Sequence, residues 1–136
     1  MRIKRLSHVS LSSRNLAAAE RFYVGILGFE IAHEFRNPAG ERYGFFLHAG
    51  GGSFLEFFQK PEASHQEGLF RHLCLETDDI EAIAEKLRTN GITDFTVKRG
   101  RTDRILQFFI NDPDGTQVEF QQHDAESVLT PYVKGG

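Results

Sequence analysis

The chain has 136 residues, one cysteine and a formal charge of −3, with 40% hydrophobic and 26% charged residues. This fits one compact domain with a sizeable core and excludes a disordered composition, a strongly basic field for nucleic acid and an intrachain disulfide. No stretch approaches the roughly 20 apolar residues of a membrane helix, and Met1 leads into an Arg/Lys-bearing strand without a signal-peptide core. A cytoplasmic protein with a small-molecule partner, and no nucleic acid or membrane partner, is expected.

In chain order, Leu6 to Leu11 alternates and predicts a strand. Arg14-Asn15 introduces a helix through about Leu27, with Asn15 as a candidate N-cap and Leu16, Ala19, Phe22, Tyr23 and Ile26 as the buried stripe. Gly28 stops it, and Phe29 to Phe35 is extended again. Tyr43 to His48 and Ser53 to Phe58 read as a hairpin around Ala49-Gly50-Gly51-Gly52. The order is β-α-β-β-β, over about residues 3–58.

After a polar join at 59–68 containing Lys60, Pro61, Glu62, His65 and Glu67, the same order returns over about 69–123. Leu69 to Glu76 predicts a strand, and Asp79 to Thr89 a helix that Asp78 could cap and Asn90-Gly91 ends. Phe95 to Lys98, Ile105 to Ile110 and Thr116 to Gln121 complete the set, the last two joined by a turn at Asp112-Pro113-Asp114-Gly115. Placing His8 over His72 puts Leu16 over Ile80, and one extra residue in the first helix brings Gly28 over Gly91. A tail follows from Asp124 to Gly136, either loose or reaching across a partner.

The repeat carries chemistry. His8 and Glu56 lie 48 positions apart, and His72 and Glu119 lie 47 apart, all on candidate strands. Side chains alternate faces along a strand. Leu6, His8 and Ser10 therefore share one face, as do Phe70, His72 and Cys74; Phe54, Glu56 and Phe58; and Gln117, Glu119 and Gln121. The flanking apolar residues face the helices, which leaves the four polar side chains on the concave side of a curved mixed sheet. A lone strand histidine or glutamate is more often structural; the repetition and common facing point to a divalent-metal site.

These residues, with the helix ending FYVGILGFE, the LEFF strand and the NDPDGTQVEF ending, resemble the vicinal oxygen chelate superfamily of glyoxalase I, bleomycin-resistance proteins and extradiol dioxygenases. The resemblance covers about residues 3–123 and implies an α+β fold of two tandem βαβββ modules. The order His8, Glu56, His72, Glu119 is similar to that of bacterial metal-dependent glyoxalase I. It implies one ion of Ni, Co, Zn, Mn or Fe on those four ligands, a substrate with adjacent oxygens, and Glu119 or Glu56 as the base, with Glu119 favoured. Similar glyoxalases complete their sites across a homodimer, which is expected here too.

Substrate choice is less constrained. Glyoxalase I usually has an arginine four residues after the first ligand and an asparagine four after the second, where this chain has Ser12 and Lys60. Lys60, Arg101 and Arg104 are candidate grips for a carboxylate or phosphate, and Phe54, Phe58, Phe70 and Phe108 candidate walls of an apolar pocket. Cys74 reads as packing, Gly50-Gly51-Gly52 as a turn rather than a phosphate loop, and His33, His48, His65 and His123 as surface or supporting residues. Four ligands favour a lyase or isomerase of glyoxalase I type. The alternatives are an Fe(II) extradiol dioxygenase, which needs two histidines and one carboxylate, and a drug-sequestering protein without catalysis.

Overall fold

The computed structural model describes residues 2–64 and 68–133. His65 and Glu67 of the expected join, and the end of the tail, lie outside them. The chain divides into two compact units, Met1–His65 and Gln66–Gly136, each an α+β module with a four-stranded mixed sheet of its own. The expected curved sheet is thus present as two sheets.

In the first unit the strands are β1 (His8–Ser13), β2 (Glu30–Arg36), β3 (Arg42–Gly50) and β4 (Ser53–Gln59), in the spatial order β1-β4-β3-β2. β1 and β4 run parallel, and the other pairs antiparallel. The helix between β1 and β2 covers one sheet face. Leu16, Ala19, Phe22 and Tyr23 from the helix are buried with Phe45, Leu47, Leu55 and Phe57 from the sheet, which supplies the dominant stabilisation through removal of apolar surface from water.

That helix differs from the expected regular one. It is α-helical over Leu16–Glu20 (α1) and π-helical over Arg21–Ile26. Leu27 N donates to Phe22 O at 3.0 Å, a bond spanning five residues. A π turn holds one residue more than an α turn, so it absorbs the extra residue that the repeat places between Leu16 and Gly28. The widened turn also lets the consecutive Phe22 and Tyr23 both reach the core. Gly28 ends the helix at φ 82°, a conformation that glycine adopts without strain.

The second unit has β5 (Leu73–Glu76), α2 (Ile80–Thr89), β6 (Lys98–Arg99), β7 (Leu106–Asn111) and β8 (Gln117–Gln122), with sheet order β5-β8-β7-β6. Its core joins Ile80, Ala84 and Leu87 of α2 to Leu73, Phe108, Ile110, Val118 and Phe120. Two expected strands are shorter than their alternation suggests. β5 starts at Leu73, with Leu69 and Phe70 exposed ahead of it, because β8 offers partners only to Leu73 through Glu76. β6 keeps two residues, pairing Lys98 with Gln107 and Arg99 with Leu106, while Phe95 packs its ring on Phe108 at 4.5 Å.

Both helices start through one repeated device. Asn15 Oδ1 accepts from Ala18 N at 3.1 Å, and Asp79 Oδ1 from Ala82 N at 3.0 Å. Asp79, not the expected Asp78, is therefore the cap. The first helical amide of each is bound by a glutamine from the end of the neighbouring strand: Leu16 N donates to Gln59 Oε1 at 3.0 Å and Ile80 N to Gln122 Oε1 at 2.7 Å. These bonds tie each helix to the strand that carries a glutamate three residues earlier.

The tail is anchored to its own unit as far as described, and ends in a short helix, α3 (Thr130–Val133). Arg99 grips both carboxylate oxygens of Asp124 at 3.0 and 2.8 Å, Arg104 reaches Glu126 at 2.9 Å, and Val128 N donates to Asp103 O. The hydrogen bonds from Arg99, helped by the Glu126 amide, hold the Asp124 carboxyl down at about 2.

Two expectations follow. Gln59→Ala and Gln122→Ala each remove a helix-start partner and should cost about 1 kcal/mol by urea denaturation; no change in either would refute the shared capping role. Because the folded value for Asp124 lies below its ordinary one, its clasp should contribute above pH ~4 and be lost as pH falls toward 2. A carboxyl-carbon NMR titration of Asp124 with a midpoint near 4 would contradict this.

Candidate functional site

Strand register brings each histidine to its glutamate. In the parallel pair β1–β4, Ser10 lies opposite Glu56, and in β5–β8, Cys74 lies opposite Glu119. Each histidine stands two residues before that partner and so projects from the same face. His8 Nε2 is 3.6 Å from Glu56 Oε1, and His72 Nε2 is 2.9 Å from Glu119 Oε1. The sequence repeat is thus a repeat of two like side-chain pairs, one in each unit.

A third member of each group escaped the sequence reading. His8 meets the Phe46 ring edge-on at 5.5 Å, and His72 meets Phe109 at 5.3 Å. Phe46 is the cross-strand neighbour of Glu56, and Phe109 that of Glu119. Both phenylalanines stand ten positions before their glutamate, a signal hidden among thirteen phenylalanines. The ring limits the orientations open to the imidazole.

The pairs fit a divalent ion by donor type and spacing. Bonds of about 2.1 Å put neighbouring octahedral donors about 3.0 Å apart and tetrahedral donors about 3.4 Å apart, which the 2.9 and 3.6 Å separations bracket. An imidazole nitrogen with a carboxylate oxygen suits the ions expected above. Each unit supplies two donors, and among the described residues no three His, Cys, Asp or Glu side chains form a ready-made cluster.

The surroundings of the two pairs differ. On the first unit's sheet, Phe54 and Phe58 flank Glu56, and the rings of Phe35, Phe46, Phe54, Phe58, His33 and His48 touch in series at 4.8 to 6.0 Å. Gly44 lies opposite Phe58, and a Cβ there would come within 2.5 Å of the Phe57 carbonyl oxygen and 2.7 Å of the Phe58 ring. The glycine thereby lets Phe58 lie close on the sheet. In the second unit the corresponding face carries amides. Gln121 and Gln107 pair across β8 and β7, and Gln121 Nε2 donates to Glu119 Oε2 at 3.0 Å.

The remaining candidates are scattered. Phe108, expected to line the pocket, lies on the opposite face, buried between Phe95 and Phe120; Phe109 takes the His72 side. Phe70 precedes β5 and is exposed. Lys60 and Arg101 are exposed on their loops, and Arg104 is engaged by Glu126. His123 bonds to Ser127 at 2.7 Å. Cys74, expected to pack, is exposed; partial burial first, then the charges of Glu119 and Glu76 and a bond to Glu119, push its thiol up to about 12, which disfavours a nucleophilic role.

Two four-stranded mixed sheets, each with a parallel outer pair and a helix on one face, define a two-module vicinal oxygen chelate fold. The chain belongs to the Glyoxalase/Bleomycin resistance protein/Dioxygenase superfamily, whose sequence profile matches residues 5–120. No curated protein matches it. Among solved structures, a glyoxalase family protein from Enterococcus faecalis is 28% identical, with TM-score 0.73, over 89% of this chain and 99% of that one. TnmS3, an antibiotic binding protein from Streptomyces sp. CB03234, is 25% identical, with TM-score 0.68, over 91% and 99%. A lactoylglutathione lyase from Agrobacterium tumefaciens shares the fold at 20% identity and TM-score 0.65, over 90% and 96%.

Gly44→Ala should destabilise the first unit by about 1–3 kcal/mol through overpacking against Phe57 and Phe58, read as a lower urea midpoint. An unchanged midpoint would show that the ring can yield.

Proposed function

We propose that the protein is a metal-dependent lyase or isomerase of glyoxalase I type, moving a proton beside a carbonyl of a small substrate with adjacent oxygens. The observation that carries this reading is the twice-repeated imidazole–carboxylate pair at metal-donor spacing. Superfamily members bind small molecules and typically hold a divalent metal, and His8, Glu56, His72 and Glu119 are the residues that would hold it here. A bound ion would supply Lewis-acid polarisation of the substrate carbonyl.

The chain's own residues do the rest. Glu119 or Glu56 takes the proton from the carbon next to the carbonyl, whose electron pair moves toward the carbonyl oxygen. The resulting carboxylic acid returns the proton to the former carbonyl carbon, while the hydroxyl proton of the first carbon passes to the former carbonyl oxygen, which leaves a hydroxyl there and a carbonyl one position along. Phe46 and Phe109 steady the two imidazoles. Joining the two pairs requires the units of one chain, or of two chains in a homodimer, to face each other. Ser12 and Lys60 at the usual glutathione-holding positions favour a substrate other than a glutathione adduct.

A second reading, a ligand-sequestering protein without catalysis, is favoured by the aromatic series on the first unit's sheet and by the likeness to an antibiotic binding protein. Metal titration of chelator-washed protein separates the two. About one ion per four-ligand site is expected, with His72→Ala and Glu119→Gln each weakening it by more than roughly 100-fold, beyond the loss typical of an outer-shell contact. No uptake of Ni²⁺, Co²⁺, Zn²⁺, Mn²⁺ or Fe²⁺ would refute the metal reading and leave the sequestering one.

A further inference from the structure

The two carboxylates occupy equivalent places in the repeat but are held differently. His72 engages Glu119 Oε1 at 2.9 Å, and Gln121 Nε2 engages Oε2 at 3.0 Å. Both oxygens are thereby fixed, and the Glu119 side chain is 7% exposed. Two residues beyond Glu56, where the repeat would place a counterpart of Gln121, stands Phe58, which has no donor to offer. Its ring instead contacts Phe35 at 5.2 Å and Tyr43 at 6.1 Å. Among the described residues Glu56 has His8 alone as its polar contact, at 3.6 Å, and is twice as exposed as Glu119, at 14%.

We propose that Gln121 is a positioning residue that holds the Glu119 carboxylate in one orientation toward a metal ion, a restraint that Glu56 lacks. The inference rests on the metal reading above and adds to it an asymmetry between the two carboxylates. A carboxylate with one oxygen toward an ion and the other on an amide N–H keeps a single orientation, because turning away breaks a charge-assisted hydrogen bond as well as a metal bond. Glu56 has no such second restraint. Its neighbours Phe54 and Phe58 give the carboxylate space bounded by rings but no alternative hydrogen-bond donor.

The test measures Co²⁺ affinity by competition with a chromophoric chelator, together with the visible absorption of bound Co²⁺, on the full chain and three variants. Gln121→Met keeps the length of the side chain and removes the donor. It should weaken Co²⁺ binding about 10–100-fold and change the absorption spectrum, while the urea midpoint of the metal-free protein stays the same. Glu56→Gln should weaken binding less than Glu119→Gln does, a comparison that stands even if Gln121→Met misfolds. Unmodified protein that takes up no Co²⁺ would overturn the metal reading and this assignment with it. Normal uptake by the unmodified protein, with Gln121→Met unchanged or Glu56→Gln the weaker binder, would overturn this assignment alone.

Discussion

The parallel pairing of the first and last strand of each module is the constraint on which the site depends. It places a glutamate beside the residue two positions after a histidine, so both side chains leave the same face within 3.6 Å of each other. A slip of one residue in either ladder would turn the carboxylate into the core. The glutamine three positions after each glutamate opposes such a slip, because it is bonded to the first amide of the module's helix. Helix start, strand register and donor pair are therefore set together, and the apolar face beneath them fixes their height relative to the core.

The modules match in this framework and differ in what surrounds it. Phe54, Phe58 and the rings beyond them make the face around Glu56 aromatic, whereas Gln107 and Gln121 make the face around Glu119 rich in amide donors and acceptors. Common backbone geometry thus carries two different linings. Function in such a fold is set by the residues grafted onto it rather than by the backbone they share.

Strand alternation and helix boundaries made most of the fold legible in the sequence. Alternation put each histidine on the same face as the glutamate of its own module, as the ladders show, because a period of two leaves little ambiguity once neighbours are apolar. Boundaries were less legible where pairing partners rather than local pattern decide, as at Leu69 and Phe70, whose apolar alternation continues past the end of the available ladder. Phe108 and Phe109 show another limit. In a run of two phenylalanines either can face the core, and only the register with β8 assigns Phe109 to the glutamate's side. Asp78 and Asp79 were equally good caps by type; the Ala82 amide selects Asp79.

The π turn at Arg21–Ile26 has a consequence for how the helix accommodates its length. A residue gained within an ordinary helix would rotate everything after it by about 100°, turning Phe29 and the strand that follows out of phase with the sheet. Taken up as a wider turn, the gain is confined to one loop of backbone, and both ends of the helix keep their alignment. The first module's helix thus holds one residue more than the second's while the β1–β4 register that carries His8 and Glu56 on the opposite sheet face stays intact.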